Sequence, residues 1–209
     1  MISFRHNFLY VHIPKTAGNA IQNILRHYSE DKIVCEKPGQ DGVERFQVRN
    51  DKYQVEKHST LKDYRRELGA ATLGKLFKFC CVRNPWERAI SFYFSPHRGE
   101  VSWDREAFKK LVAEIVPASA FVALDKPVAS GKSPFENVDS VIRYENVDED
   151  FRKVCERIGI PPAELPVRNK SRRGHFTQYY DLELVDLVRA RSSDEIDYFG
   201  YEFESVRGS

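Results

Sequence analysis

FLYVHIPKTAGNAIQNILRHY, running from Phe8 to Tyr28, joins an apolar run, a turn and an amphipathic pattern without a break. The apolar run from Phe8 to Ile13 is typical of a strand in a sheet that is covered on both faces. After the turn, apolar residues recur at helical spacing: Ala17, Ala20, Ile21, Ile24, Leu25 and Tyr28. We therefore predict a buried strand and a helix, connected by the turn Pro14–Asn19.

The turn, PKTAGN, places a lysine, a hydroxyl group and a glycine where the helix begins. The first amides of a helix lack intrahelical partners and lie at the positive end of the helix dipole, so an anion is stabilised there. The turn is not a Walker A loop, because no GxxxxGK[ST] pattern runs through it. Taken alone, it fits either a phosphate or sulfate site or an ordinary connection between a strand and a helix.

A second segment, FKFCCVRNPWERAISFYFS from Phe77 to Ser95, repeats this design. The run Phe77–Val82 predicts another buried strand, and Pro85 suits the first turn of a helix, where its missing N–H costs nothing. Arg83 stands between the two, and its guanidinium matches phosphate oxygens in a bidentate manner. The alternative for Arg83 is a surface arginine at the end of a strand.

HIPKTAGNA followed by FKFCCVRNPWERAISFYF resembles the paired signatures of sulfotransferases that use 3′-phosphoadenosine 5′-phosphosulfate, in the carbohydrate branch with Golgi-type and bacterial members. The resemblance implies an α/β, P-loop-like three-layer fold with a central, mostly parallel sheet flanked by helices. It also implies that the first signature binds the 5′-phosphosulfate and the second the 3′-phosphate. The implied ligands are Lys15, Thr16, Ala17, Gly18, Asn19 and Ala20 in the first signature, and Arg83 and Ser91 in the second.

The chain departs from this family pattern after the glycine, where relatives usually carry a hydroxyl residue. Asn19 retains an amide that can donate to an anionic oxygen, whereas Ala20 has no donor in its side chain. Part of the anion cradle must therefore come from backbone N–H groups.

Later segments extend the resemblance. Glu56–Leu61, EKHSTL, precedes a predicted helix over Leu61–Leu68 and is similar to the histidine-bearing segment of bacterial members. Val138–Phe151 predicts a strand and then a helix capped at Asn146 with Glu149 three residues later. The basic run Arg168–His175 resembles a loop that closes over the nucleotide, which implies further ligands, and its alternative is a solvated charged surface. These ligands are Arg172, Arg173 and Gly174.

Sulfuryl transfer to a hydroxyl group needs a base for the acceptor and a cation for the leaving phosphate. Lys15 suits the second task, because its ammonium group can stabilise charge that develops on the departing oxygen. His58 is the predicted base, since an unperturbed histidine has a pKa of about 6.5. His12 is the main competitor, although its apolar strand favours a packed histidine, and Glu56 is a weaker alternative.

Composition restricts the remaining possibilities. With 209 residues the chain predicts a single domain over residues 1–209, and its net charge of +2 argues against a broad nucleic-acid-binding field. The four cysteines have no CxxC spacing, which favours reduced core residues over a disulfide framework or a metal site; they are Cys35, Cys80, Cys81 and Cys155. No signal peptide and no apolar run of about 18 residues is seen, so a cytoplasmic, bacterial protein is expected.

Other segments predict helices and loops but indicate function less specifically. Apolar spacing from Ala107 to Ile115 predicts a helix, and the loops within Ser95–Asn137 are expected to contact the acceptor. Near the end of the chain, Leu184, Val185 and Val188 predict another helix, and Ser192 with Glu195 predicts the capping box of a last one.

The sequence therefore favours a metal-independent sulfotransferase with a carbohydrate or glycolipid acceptor and no nucleic-acid partner. Peripheral membrane contact and the oligomeric state stay open. One alternative is a P-loop-like, nucleotide-dependent kinase, against which stand the missing Walker A pattern and the lack of a magnesium carboxylate beside Thr16. The other is a non-catalytic nucleotide-binding or anion-binding module, which Asn19 and Ala20 keep under consideration.

Overall fold

A computed structural model of the protein describes residues 1–95, 101–124, 132–165 and 174–203. The chain divides into two compact units: unit 1 comprises residues 1–82 and 119–166, and unit 2 comprises residues 83–118 and 167–209. Each unit draws on two separate stretches of sequence. The single domain expected from chain length stays a prediction.

Unit 1 is built on a four-stranded sheet of β1 (Ile2–Ser3), β2 (Phe8–Val11), β5 (Phe77–Val82) and β6 (Ser140–Arg143), in the order β1-β2-β5-β6. β2 pairs with β5 and β5 with β6 in parallel, whereas β1 joins β2 in antiparallel orientation. All of β2 and the last four residues of β5 are buried, as predicted for strands covered on both faces. The predicted α/β class with a central, mostly parallel sheet flanked by helices is confirmed.

Two helices of unit 1 share a hydrophobic core with this sheet: α1 (Gly18–Leu25) and α7 (Val147–Ile158). The predicted packing face of α7 is confirmed, since Phe151, Val154, Cys155 and Ile158 are all buried. From the sheet, the core takes alternate residues of neighbouring strands: Phe8, Tyr10, Phe79, Cys81 and Ile142.

The remaining elements of unit 1 surround this core. A separate hairpin consists of β3 (Lys32–Val34) and β4 (Gln47–Arg49). The helix α2 (Leu61–Leu68) has the predicted bounds, and α3 (Ala70–Leu73) follows it directly. The short helix α6 (Ala118–Val122) begins at the boundary between the units, and 3₁₀ turns occur at Pro134–Asn137 and Tyr144–Asn146.

In its described part, unit 2 is helical, with α4 (Pro85–Tyr93), α5 (Arg105–Glu114), a 3₁₀ turn at Phe176–Tyr179, α8 (Leu182–Arg191) and α9 (Ser193–Phe199). Three of these helices start at a residue whose side chain accepts a capping hydrogen bond. Asn84 accepts from the N–H of Trp86 at the start of α4 (3.1 Å), and Asp104 and Asp181 cap α5 and α8 in the same way.

Two predicted capping boxes do not form, although the helices begin at the predicted cap positions. Asn146 occupies the N-cap position of α7 and Ser192 that of α9, yet neither side chain makes a capping hydrogen bond. In α9 the reason is that Glu195 is buried, where it lies 3.9 Å from Arg88. In α7, the expected partner Glu149 forms an ion pair with Lys153 instead (2.8 Å).

The cysteines are free thiols. Cys80, Cys81 and Cys155 are buried as predicted, whereas Cys35 is exposed and does not belong to the core. Burial raises the pKa of Cys80 to about 12, so its thiol is inert at neutral pH. Within the described residues, no helix is long and apolar enough to cross a membrane. The cytoplasmic location stays a prediction.

Candidate active site

The turn after β2 has an unusual backbone. Lys15 (φ 70°) and Ala17 (φ 68°) both adopt the left-handed conformation, although neither is glycine. Such residues cost about 1–3 kcal/mol each and occur preferentially at functional sites. Left-handed residues within a turn make backbone N–H groups converge, which produces an anion-binding concavity. The backbone of this turn therefore suits the predicted anion cradle.

Thr16 and Asn19 use their side chains within the protein. The Thr16 hydroxyl is buried and donates to the carbonyl of Ile13 (2.8 Å), which ties the turn to the strand end. The Asn19 side-chain amide donates to the carbonyl of Glu44 (2.8 Å) and thereby holds the loop before β4. Ala20 is buried in the core. The Ala20 N–H donates to the Ala17 carbonyl (3.0 Å), so the donors left for an anion are chiefly the backbone amides of Thr16 and Asn19.

Gly18 is required by its neighbour His12. A Cβ atom built at Gly18 would overlap the imidazole ring of His12, which is only 3% exposed. Burial lowers the pKa of His12 well below its usual value, and the nearby His58 and Lys57 lower it further. His12 is consequently neutral at pH 7 and packed under the turn, as the strand pattern favoured.

Several buried polar side chains lie around His12 and form a group with it. The Nδ1 atom of His12, the Tyr10 hydroxyl and both side-chain polar atoms of Gln22 make no well-formed hydrogen bond among the residues that the structure describes, although Gln22 is close enough to His12 to oppose the lowering of its pKa. The Tyr10 and His12 rings are stacked with centroids 6.1 Å apart. Sequence patterns did not indicate this group, because Tyr10 and Gln22 read as ordinary strand and helix positions.

His58 is carried by a tight turn that precedes α2. The Glu56 N–H donates to the Ser59 hydroxyl (2.8 Å), and the Ser59 N–H donates to the Glu56 carbonyl (3.1 Å). The Nδ1 atom of His58 lies 3.2 Å from the carbonyl oxygen of His12, and the two imidazole rings are 4.4 Å apart. A carbonyl oxygen only accepts, so Nδ1 carries the hydrogen and Nε2 of the neutral ring carries the lone pair.

Lys57, beside His58, is a residue that the sequence analysis missed. Its Nζ atom lies 3.6 Å from the centroid of the Phe46 ring. Burial lowers the pKa of Lys57 to about 8, and the carboxylates of Glu44 and Asp41 oppose this shift only in part. The sole sequence signal was its position next to His58.

A cleft of about 660 Å³ opens at His58 within unit 1, and we call it the His58 cleft. Its walls are β4, the segment 50–59 and the first turns of α2. The acceptor contacts were expected in Ser95–Asn137, and this cleft lies outside that range. In the described part of the chain, no group of three or more histidine, cysteine or acidic residues is arranged to hold a metal ion.

In unit 2, Arg83 follows β5 in the sequence and precedes the cap of α4. It is 8% exposed, so the alternative of a surface arginine is wrong. Its Nη2 atom donates to Glu87 (2.6 Å), one turn into α4. Ser91 is partly buried on α4, and Gly174 is exposed. Arg172 and Arg173 lie outside the described residues.

Comparisons with known proteins identify the family. The sequence model described as the sulfotransferase family matches residues 1–202. An uncharacterized protein of Archaeoglobus fulgidus is 32% identical over 106 residues, which amount to 50% of this chain and 84% of that protein. No solved structure matches the sequence.

Proposed function

Because the chain belongs to the sulfotransferase family, we propose that it transfers a sulfuryl group from 3′-phosphoadenosine 5′-phosphosulfate to a hydroxyl group of a carbohydrate or glycoconjugate. Family membership supports sulfuryl transfer in general, and the donor and the acceptor class are the proposal. The observation that carries it is the hydrogen bond between His58 and the carbonyl of His12. This bond supports His58 as the base, because His12 directly follows the strand that leads into the turn that suits an anion.

We propose donor ligands in each of the two signatures. Lys15 and the backbone amides of residues 16–19 would hold the 5′-phosphosulfate, a role that the left-handed residues of the turn support. Ala20 would contribute by position only, because its N–H donates to the Ala17 carbonyl (3.0 Å). Arg83 and Ser91 would bind the 3′-phosphate. Arg83 is supported by its burial and by its position at the start of α4, whose dipole favours the same anion. Arg172, Arg173 and Gly174 are proposed as further nucleotide contacts.

In the proposed reaction, Nε2 of His58 accepts the proton of the acceptor hydroxyl. The freed oxygen forms the new bond to sulfur while the bond between sulfur and the 5′-phosphate oxygen breaks. Lys15 stabilises the negative charge on that departing oxygen, and adenosine 3′,5′-bisphosphate leaves. His12 orients His58 through its carbonyl group, and because its own ring is neutral it adds no competing charge.

The test is the variant His58→Ala. Losing a positioned base should lower kcat by about 10²–10⁴-fold, measured as transfer of radiolabelled sulfate from the donor to a panel of sugars and simple phenols. Binding of adenosine 3′,5′-bisphosphate, measured by calorimetry, should stay near the wild-type value because His58 does not hold the nucleotide.

The matched control is His27→Ala, which removes an exposed histidine just after α1. It should retain wild-type turnover. Near-native turnover by His58→Ala would eliminate His58 as the base. A wild-type protein that binds the bisphosphate but sulfates no member of the panel would instead indicate the non-catalytic alternative.

A further inference from the structure

We propose that the His58 cleft is the acceptor site and that it selects uncharged, polyhydroxylated acceptors, such as neutral sugars, over anionic ones. This inference rests on the proposed function, and it moves the acceptor contacts from the expected region, residues 95–137, to the segment 47–66.

The position of the cleft follows from His58 itself. His58 lines the cleft, and its Nδ1 atom is bonded to the carbonyl of His12, two residues before Pro14. An acceptor hydroxyl bound beside His58 would therefore be near the strand end that leads into the turn proposed for the sulfuryl donor. The volume falls within the range of about 300–1,000 Å³ that is usual for small-molecule sites.

The charges in the cleft argue against an anionic ligand. Arg49 binds both carboxylate oxygens of Glu36 (2.8 and 2.6 Å) and lies 3.8 Å from Glu56. Arg66 contacts Asp63 (3.0 Å) and Glu67 (3.4 Å). Both guanidinium groups are thus already neutralised by carboxylates.

A sugar carboxylate would have to displace one of these pairs or lie close to Glu56 or Asp63, which also line the cleft. Like charges brought together in this way discriminate against a ligand. Lys57 is the remaining cation of the cleft wall, and its ammonium group is directed onto the Phe46 ring.

The other groups of the wall match hydroxyl groups. Gln47 and Gln54 contribute side-chain amides, each of which has both a donor and an acceptor. The Asn50 amide also lines the cleft, but it donates to Asp31 (2.5 Å) and accepts from the N–H groups of Lys52 and Tyr53. Tyr53 and Ser59 add hydroxyl groups of the same dual character. A ligand with many hydroxyls, each able to donate and accept, fits such a lining better than an acceptor-only carboxylate.

The first test compares two pairs of glycosides, methyl β-glucoside with methyl β-glucuronide and methyl β-galactoside with methyl β-galacturonide. Each pair differs only by the carboxylate that replaces a hydroxymethyl group. The neutral member should have a kcat/KM at least about tenfold higher, the ratio that corresponds to one lost favourable contact. Equal or better turnover of the acidic members, or transfer to a simple phenol but to neither neutral glycoside, would overturn the inference.

The second test fills the cleft with Gln54→Trp. Gln54 is exposed, and within the described part of the chain its hydrogen bond is made by its backbone N–H, which donates to Glu67 (2.9 Å). The KM for the neutral glycoside should rise at least about tenfold, while the Kd of adenosine 3′,5′-bisphosphate stays unchanged. The control Ala71→Trp adds the same bulk at an exposed position of α3 that does not line the cleft.

An unchanged KM in Gln54→Trp would remove the acceptor from the cleft and leave sulfuryl transfer standing. Failure of the proposed function has a different signature, because the wild-type protein would then transfer sulfate to no sugar or phenol at all.

Discussion

At the scale of single residues, Gly18 meets two requirements: the proposed anion must approach the backbone of the turn, and the buried His12 ring needs space. A glycine in an anion-binding loop is usually explained by the ligand that the backbone must approach. Here Gly18 has an additional cause, because the imidazole of His12 occupies the space of its side chain. The strained positions are instead Lys15 and Ala17, which carry the left-handed backbone without being glycine.

We expect Gly18→Ala to lower the free energy of unfolding by about 1–3 kcal/mol, because the added methyl group must push the buried His12 ring aside. Urea denaturation followed by circular dichroism measures this loss. The neighbouring variant Ala17→Gly should keep or slightly raise stability, since glycine adopts the left-handed conformation without the steric cost. Similar losses in both variants would contradict the contact with His12.

At the scale of elements, the turn Glu56–Ser59 and helix α2 act together to present His58. A full capping box begins α2: the Asp63 N–H donates to the Thr60 hydroxyl oxygen (3.2 Å), and the Thr60 N–H donates to the Asp63 carboxylate (2.9 Å). The boxes predicted at Asn146 and Ser192 do not form, although their sequences look equally suitable. Capping motifs therefore mark where helices start better than they identify the bonds that are made.

Thr60→Ala should destabilise the protein by about 0.5–2 kcal/mol, because the first turn of α2 loses the hydroxyl that accepts from Asp63. Thermal or urea unfolding would show it. Thr60→Ser keeps the hydroxyl and should recover most of the loss. A serine variant as unstable as the alanine variant would mean that the threonine methyl group, and not the cap, is responsible.

At the scale of the whole molecule, contacts between distant parts of the sequence determine the role of buried charges. Within unit 2, Arg88 of α4 lies 3.9 Å from Glu195 of α9, and both side chains are 2% exposed. Arg88 also donates to the carbonyl of Val116 (3.1 Å), and Glu195 accepts from the N–H of Ala118 (3.2 Å). Burial lowers the pKa of Arg88 to about 10 even though Glu195 opposes the shift.

Glu195→Gln should lower the unfolding free energy by about 3–5 kcal/mol, because it leaves the Arg88 charge buried without its counter-ion. Chemical denaturation is again the measurement. Glu114→Gln, at an exposed position of α5, is the control and should be nearly neutral. The double variant Arg88→Met/Glu195→Leu should regain most of the lost stability. Wild-type stability in Glu195→Gln would show that the ion pair contributes little.

Local patterns in the sequence predicted much of the fold. The correctly predicted features depend on neighbours within a few residues, which a sequence displays directly. They are the strands β2 and β5, the bounds of α2, the proline start of α4 and the packing face of α7. The two signatures also led to the family that the comparison shows. Two parts of the candidate site were also predicted from local sequence: the turn before α1 and the histidine before α2.

What the sequence determined by itself is the position of several strands and helices, such as β2, β5, α1 and α2, together with the family and the residue types available for chemistry. Only the tertiary structure decided that His12 packs against Gly18 and orients His58, that Asn19 holds Glu44, and that Glu195 turns inward to Arg88. The physical reason is the range over which the two kinds of interaction act along the sequence. Helix and strand periodicity are local, whereas a hydrogen bond or ion pair depends on groups that meet only after the chain has folded.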